Sequence, residues 1–319
     1  MDGQWPSLQG TRGQPPEVFM SFSTAVKDEM VKTKPDKECC LRAELYGVLL
    51  LCHTFSAERV RIISEYRPLF GRVAVLAEGA GMAGLPAAGP AAATRGKKYV
   101  MDIADPRVCQ DIASAYGYDG GDFAPMHLHG WHVEGDCCRG AAARGMFLAA
   151  GFAVDPVKEY HLELVTPRAV LSREIAALLD DCGLAPKITR RGGNYVLYYK
   201  ESGHIEDFLT FSGAPRAALS IMEAKVEKNL KNKINRQVNC EAANYIKSLD
   251  AALRQVEAIT RLELDGRMDK LPESLREAAR LRKRHPELPL SELAALTPGL
   301  SRSGLNYRLK KIMELEQTK

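Results

Sequence analysis

Two segments of this chain can be laid over one another at a single offset. ECCLRAELYGVLLLCHTF (Glu38–Phe55) and DCCRGAAARGMFLAAGFA (Asp136–Ala153) stand 98 residues apart, and at that offset Cys39-Cys40 falls on Cys137-Cys138 and Gly47 on Gly145. Two coincident marks at one spacing indicate a duplication, so the front of the chain should fold as two similar halves. The texture that follows repeats as well: helix, strands, helix, twice over. Copy one continues with a β-rich stretch Arg59–Ser64, a helical one Tyr66–Ala77, a strand Lys97–Ile103 and a helix Pro106–Tyr116. Copy two continues with a strand Tyr160–Thr166, a helix Pro167–Asp181, a hairpin Pro186–Lys200 turning at Gly192-Gly193, and a helix His204–Phe211. Between the strands of copy one lies GAGMAGLPAAGPAAATRG (Gly79–Gly96), a Gly/Pro/Ala loop expected to be mobile.

The repeated helices carry small residues: Gly140, Ala142, Gly145, Ala149 and Gly151 in copy two, Ala43 and Gly47 in copy one. Such a face lets two helices approach closely across a pseudo-twofold axis. LYGVLLLCH (Leu45–His53) and ARGMFLAAG (Ala143–Gly151) resemble the two signature helices of the LAGLIDADG homing endonucleases. In that family an acidic residue near the end of each helix binds the divalent metals that activate water for strand cleavage. Matched letter by letter, those positions are Cys52 and Ala150, neither of which can ligate Mg²⁺. The resemblance therefore implies a catalytically silent relative, with no catalytic residue, no resident metal and no cofactor. The alternative from pattern alone is a small-residue packing seam in an unrelated α/β domain.

With 45% apolar and 26% charged residues and a net charge of +4, the 319-residue chain excludes the disordered, collagen-like and disulfide-scaffold classes. Its longest apolar run, around Val48–Cys52, falls well short of the ~20 residues of a membrane-spanning helix. No export signal is visible, and a cytoplasmic protein is expected. Eight cysteines without a CxxC pattern fit a reducing compartment. Neighbouring cysteines sit too close along the backbone to bridge easily, so each pair taken alone is a weak metal or redox signal. Residues 1–19 are rich in Gly, Pro and Gln and read as a disordered tail; Met20 opens a new texture and is a candidate start codon.

From Ala214 the pattern turns helical. Met222, Val226, Leu230, Ile234 and Val238, then Ala242, Ile246, Leu249, Leu253 and Val256, form one apolar stripe. Its length and its Asn235, Asn239 and Asn244 predict a break near Asn239-Cys240. Gly266, Asp269 and Pro272 end this connector. Residues 222–319 hold 20 Lys/Arg against 14 Asp/Glu, whereas residues 1–221 hold 24 against 26. That asymmetry points to the back of the chain for a nucleic-acid contact.

The back segment, Leu271–Glu316, reads as three short helices. Leu275, Ala279 and Leu281 face a core from the first, Leu290, Leu293 and Ala294 from the second, and Leu305, Leu309 and Ile312 from the third. Thr297-Pro298-Gly299 makes the tight turn and Ser301 caps the third helix. This is helix-turn-helix (HTH) grammar. Beside its cap at Ser301, the third helix presents Arg302, Ser303, Asn306, Arg308, Lys310 and Lys311, residue types suited to a DNA groove. Arg302, Ser303 and Asn306, near the helix start, are the candidates for base contact; Arg308, Lys310 and Lys311 are the candidates for the backbone. The alternative is a solvated basic face.

Lesser signals are Lys225, Lys228, Lys231, Lys233 and Arg236 of the connector, which either track phosphates or are solvated, and His127, His129 and His132 ahead of Cys137-Cys138. The histidine spacing matches no standard zinc pattern. No Ser/His/Asp triad can be assembled from local motifs, and no phosphate-loop motif is present.

From about Met20 to Glu316 the chain resembles the WhiA family of bacterial transcription regulators. The match rests on the repeats and on MSFSTAVKDEM (Met20–Met30), KPDKECCLRAEL (Lys34–Leu45), DPVKEYHLELVT (Asp155–Thr166), NRQVNCEAAN (Asn235–Asn244), AALRQVEAI (Ala251–Ile259) and SRSGLNYRLKKI (Ser301–Ile312). It implies an α+β protein: a degenerate two-repeat αββαββα domain at 20–213 (repeats about 34–118 and 132–213), a helical connector at 214–269, and an all-α HTH domain at 270–319 whose helices resemble sigma-factor region 4. It also implies a regulator of cell division, chromosome segregation or sporulation septation. Its partners would be double-stranded promoter DNA on the nucleoid and either RNA polymerase or another regulator, with no membrane. The departure lies in copy one, where Gly79–Gly96 replaces part of the expected β structure. Two other functions stay open: a working nuclease with Glu44 or Asp155 as unconventional ligands, and an adaptor that engages the transcription or division machinery.

Overall fold

A computed structural model describes residues 21–35, 37–82, 91–92, 98–118 and 126–318. The chain divides into two compact units, Met1–Glu227 and Lys228–Lys319. Residues 1–20, which include the expected tail and Met20, lie outside the described residues, as does most of the Gly79–Gly96 loop.

The first unit opens with α1 (Phe22–Met30), whose N-cap Ser21 accepts from the Thr24 N–H. Copy one then runs α2 (Glu38–Leu51), β1 (Thr54–Phe55), β2 (Val60–Ser64), α3 (Pro68–Gly79), β3 (Ala91–Ala92), β4 (Tyr99–Ile103) and α4 (Pro106–Ala115). Copy two runs α5 (Asp136–Ala150), β5 (Gly151–Ala153), β6 (Leu162–Thr166), α6 (Ala169–Asp180), β7 (Lys187–Arg191), β8 (Asn194–Tyr199) and α7 (Ser202–Ser212). The two sheets are wholly antiparallel and share one order, β1-β2-β4-β3 and β5-β6-β8-β7. The duplication thus extends to topology. β3 also corrects the expectation that the Gly79–Gly96 loop replaces sheet: Ala91 and Ala92 pair with Val100 and Tyr99, giving copy one its fourth strand. An edge strand needs only backbone pairing on one side, so two alanines suffice. The β7–β8 turn is the predicted Gly192-Gly193, both at positive φ, as a two-residue hairpin of the first kind requires.

α2 and α5 form the centre of this unit, most of their residues buried. A Cβ placed on Gly47 would overlap the carbonyl of Ala142, and one on Gly145 would overlap the carbonyl of Glu44. Ala142 lies 98 positions after Glu44, as Gly145 does after Gly47, so the two contacts are one contact related by the pseudo-twofold axis. Within this seam Glu44 is fully buried. Arg72 grips it through Nε and Nη2, both at 2.7 Å, and Arg144 through Nε and Nη2 at 2.9 and 2.8 Å. The remaining guanidinium N–H groups reach the carbonyls of Val31 and Ser212. At the offset of 98, Glu44 corresponds to Ala142 and Arg144 to Tyr46, so the ion triad breaks the symmetry that the glycines obey.

α8 (Pro215–Leu264) is one helix of 50 residues, which corrects the expected break at Asn239-Cys240. The segment holds no glycine and no proline after its first residue, and Asn costs a helix well under ~1 kcal/mol. Local pairs at i,i+4 compensate: Gln237 donates to Glu241 at 3.0 Å and Asn244 to the Cys240 sulfur at 3.6 Å. The apolar stripe is largely exposed, with Val226, Leu230, Ile234 and Val238 each more than half accessible. Only the ends of α8 reach the cores: Ala217, Ala218 and Ile221 in the first unit, Ile259 and Leu262 in the second.

The second unit adds α9 (Glu273–Arg284), α10 (Leu290–Ala295) and α11 (Arg302–Gln317). Leu275, Ala278, Ala279, Leu293, Ala294, Leu305, Leu309 and Ile312 close its core. Leu281 and Leu290, expected inside, pack at the core's edge. The buried place beside Leu281 goes to Arg282, whose Nη1 donates to the Leu288 carbonyl at 2.7 Å. The α10–α11 turn closes as expected, with Leu300 N–H donating to Thr297 O at 3.2 Å and Gly299 at φ +81°.

Candidate nucleic-acid interface

Two surfaces are candidates for a nucleic-acid contact. The first is the C-terminal end of the α2–α5 seam, where Cys52 caps α2 and Ala150 ends α5. Cys52 is buried, its Sγ–H donates to the Thr54 carbonyl at 3.1 Å, and burial pushes the thiol up to about 12. Cations stand beside both positions. Arg168 Nη1 donates to the Leu50 carbonyl at 2.9 Å, and its charge opposes the upward shift of Cys52. Lys27 and Lys98 line a pocket of about 270 Å³ with Glu65, Ala149 and Ala150. Burial lowers the Lys27 ammonium to about 8, against the opposing charge of Glu65. A protonated thiol, a methyl group and adjacent cations do not fit the divalent metal that the nuclease resemblance implies, and no hydrolytic step can be routed through it.

The two unconventional ligands are both engaged, Glu44 fully and Asp155 through one carboxylate oxygen. Both oxygens of Glu44 are held in the arginine triad. Asp155 accepts the Val157 N–H at 2.9 Å through its side chain and the Lys158 N–H at 2.9 Å through its carbonyl, closing a turn. The histidines ahead of α5 are also engaged one by one. His127 pairs with Glu174 at 2.7 Å, His129 stacks on Trp131, and His132 accepts the Trp131 Nε1–H at 2.8 Å.

The second surface is α11. Ser301 is its N-cap, with Oγ accepting the Gly304 N–H at 3.1 Å and lying 3.1 Å from the Ser303 hydroxyl. The cap satisfies one of the unpaired N–H groups at the helix start. Leu305, Leu309 and Ile312 turn inward, while Arg302, Ser303, Lys310 and Lys311 are exposed and Asn306 and Arg308 half-buried. The structure therefore places the seven predicted residues on one helix and grades them by access. Lys311 pairs with Glu314 at 3.3 Å, an exposed contact of little energy. No ion pair holds Arg302, Arg308 or Lys310 among the described residues.

Residues 139–231 match the profile of the WhiA LAGLIDADG-like domain, and residues 234–316 that of the WhiA C-terminal HTH domain. The "Probable cell division protein WhiA" of Ruminiclostridium cellulolyticum is 34% identical over 320 residues, covering 93% of this chain and 97% of that one. The chain belongs to the WhiA family. Its relative of the same name from Desulfitobacterium hafniense Y51 is 36% identical over 308 residues, covering 93% of this chain and 96% of that one. Full-length WhiA from Thermatoga maritima shares the fold, with a TM-score of 0.58 at 22% identity over 93% of this chain and 98% of that chain.

On this WhiA-family helix the sequence reading overlooked Tyr307, which is 68% exposed and stands one turn from Ser303 and just before Arg308. Its signal was legible: an aromatic two places after Leu305 and two before Leu309 cannot join the stripe those residues define. The reading also missed that the two cysteine pairs of the WhiA repeats come together in space. Sγ atoms of Cys39, Cys40, Cys137 and Cys138 all lie within 4.8 Å of one another.

Proposed function

We propose that this protein is a sequence-specific DNA-binding transcription regulator whose nuclease-like domain is catalytically silent. The observation that carries the reading is α11: a capped helix following a short helix and a tight turn, with Arg302, Ser303, Tyr307 and Lys310 exposed on its outer side. An HTH of this kind lays its second helix in the major groove. Arg302 and Asn306 then reach base edges, Tyr307 packs on the groove wall, and Arg308, Lys310 and Lys311 hold phosphates. The excess of basic residues over 222–319 supplies the salt-dependent part of the affinity. Silence of the front domain follows from Cys52 and Ala150 and from the cations beside them. Its relatives' names point to cell division as the process served, through promoter sites on the nucleoid, with RNA polymerase or a second regulator as protein partner.

The test is binding of the full-length protein to genomic fragments, with chromosomal crosslinking to identify sites. Asn306→Ala should relax base preference, whereas Arg308→Ala should weaken all sequences alike and reduce the salt slope by about 1. Absence of any preferred site overturns the regulator reading in favour of the adaptor. Nicking of supercoiled plasmid with Mg²⁺ or Mn²⁺ that Glu44→Ala abolishes overturns catalytic silence.

A further inference from the structure

The four clustered cysteines belong to neither surface described above. Cys39 and Cys40 occupy the first turn of α2, and Cys137 and Cys138 the first turn of α5. Along each helix they precede Cys52 or Ala150 by 12 residues or more, about 18 Å at 1.5 Å per residue, so the cluster sits at the opposite end of the seam. Equivalent residues of two repeats can form one cluster only where the pseudo-twofold axis passes, so the sulfurs surround that axis.

We propose that these four thiolates bind one Zn²⁺ ion that staples the two repeats at the N-terminal end of the seam. A tetrahedral tetrathiolate zinc has Zn–S bonds of ~2.3 Å and hence S···S separations of ~3.8 Å. The Sγ atoms of Cys137 and Cys138 are already 3.9 Å apart, and the widest separation in the group is within 4.8 Å. Each sulfur has only about 1 Å to move for the set to reach the S···S spacing of such a site. Donor chemistry also selects the metal, because four soft sulfur ligands favour zinc over Mg²⁺ or Ca²⁺.

Two features bring positive charge to the cluster. Neither α2 nor α5 has a side-chain N-cap, so the positive end of each helix dipole is left facing its own cysteines. Lys37 adds a positive charge close to Cys137, while the acidic neighbours Glu38 and Asp136 are drawn toward Arg42 and Arg139. Cys39 and Cys137 are exposed and Cys40 and Cys138 buried, which gives the ion a route in and an anchored floor. Read along the chain, each pair is an isolated dipeptide; the fold makes four ligands of them. The expectation of no metal rested on weighing the pairs separately.

The experiment uses the full-length protein purified under reducing, chelator-free conditions. Elemental analysis should find about one zinc per chain, and replacement by Co²⁺ should give the thiolate charge-transfer and visible bands of a tetrahedral cobalt site. In a Cys39→Ser/Cys137→Ser double variant zinc should fall at least ~10-fold, while Cys240→Ser, in α8 and outside the group of four, should keep it. The double variant changes only the two exposed cysteines, and the cobalt spectrum of the unaltered protein reads the site even if that variant fails to fold. The proposal is overturned by wild-type protein with only trace zinc and no thiolate–cobalt bands. Full zinc in the double variant overturns it too, as does an intact mass showing the four sulfurs joined as disulfides with no metal present.

Discussion

Where α2 crosses α5, backbone meets backbone and the charges present are locked into a buried triad; along α11, a helix as long as α5, the cations stand in solvent. Both regions are helices with apolar residues at helical spacing. They differ in what surrounds the polar side chains. Glu44 is fully buried between two guanidiniums, Arg72 from its own repeat and Arg144 from the other, so its contribution is register across the seam. Arg302 and Lys310 are exposed and have no ion-pair partner among the described residues, so they contribute little to folding and keep their capacity to meet phosphates and bases. The contrast separates variants that unfold the protein from variants that leave it folded and disarmed.

The sharpest test of that contrast is Glu44→Ala, which strands two buried arginines and should cost about 3–5 kcal/mol in denaturant unfolding. Replacing the whole triad with apolar residues of similar volume should restore most of that loss, since it removes the stranded charge. Gly145→Ala places a methyl group on the Glu44 carbonyl and should cost about 3 kcal/mol, because the obstacle is backbone and cannot step aside. An unchanged denaturation midpoint in either seam variant would break the comparison. On α11, Arg302→Ala and Tyr307→Ala should each weaken specific DNA binding by about 1–3 kcal/mol, measured by fluorescence anisotropy, with the melting temperature held. Ser301→Ala removes the cap and should cost about 1 kcal/mol in thermal unfolding, the one α11 change expected to register mainly as stability.

A pH test of buried charge in the first unit concerns Lys27. Its ammonium is lowered from 10.5 to about 8 by burial, so between those values the unfolded chain binds more protons than the native one. Stability should therefore rise with pH through that window, and the rise should be absent in Lys27→Met. Urea midpoints of both proteins measured below pH 8 and near pH 10.5 check the sign. A wild-type midpoint that falls relative to the variant contradicts the burial of this ammonium.

Much of this architecture was legible before folding. The 98-residue offset shows as a match of letters between two segments, and the Gly192-Gly193 hairpin, the Ser301 cap and the Thr297-Pro298-Gly299 turn each depend on a few neighbouring residues whose conformational demands are local. The errors arose where distance along the chain and distance in space part company. Asn239-Cys240 looked like a stop, yet with no glycine or proline nearby and i,i+4 contacts at hand the helix continues. Ala91-Ala92 looked like loop because an edge strand of two alanines carries no pattern; its partner β4 defines it. Arg282 gave no sign of its burial, because a buried arginine shows itself only through the carbonyls that receive it.

The candidate sites divide in the same way. Periodicity placed Ser301, Arg302, Ser303, Asn306, Arg308, Lys310 and Lys311 together on one helix, since every member of a helix face lies within a few residues of the next. The repeat likewise named Cys52 and Ala150 as equivalent positions. The fold alone decided that Glu44 is spent on arginines from two other helices, and that cations attend the ends of the seam. It alone decided that Cys39 and Cys40 meet cysteines nearly a hundred residues away. Helix periodicity is a short-range property of covalent geometry and can be read from letters; the meeting of four thiols depends on how closely two glycine-bearing backbones pack, which no local pattern encodes.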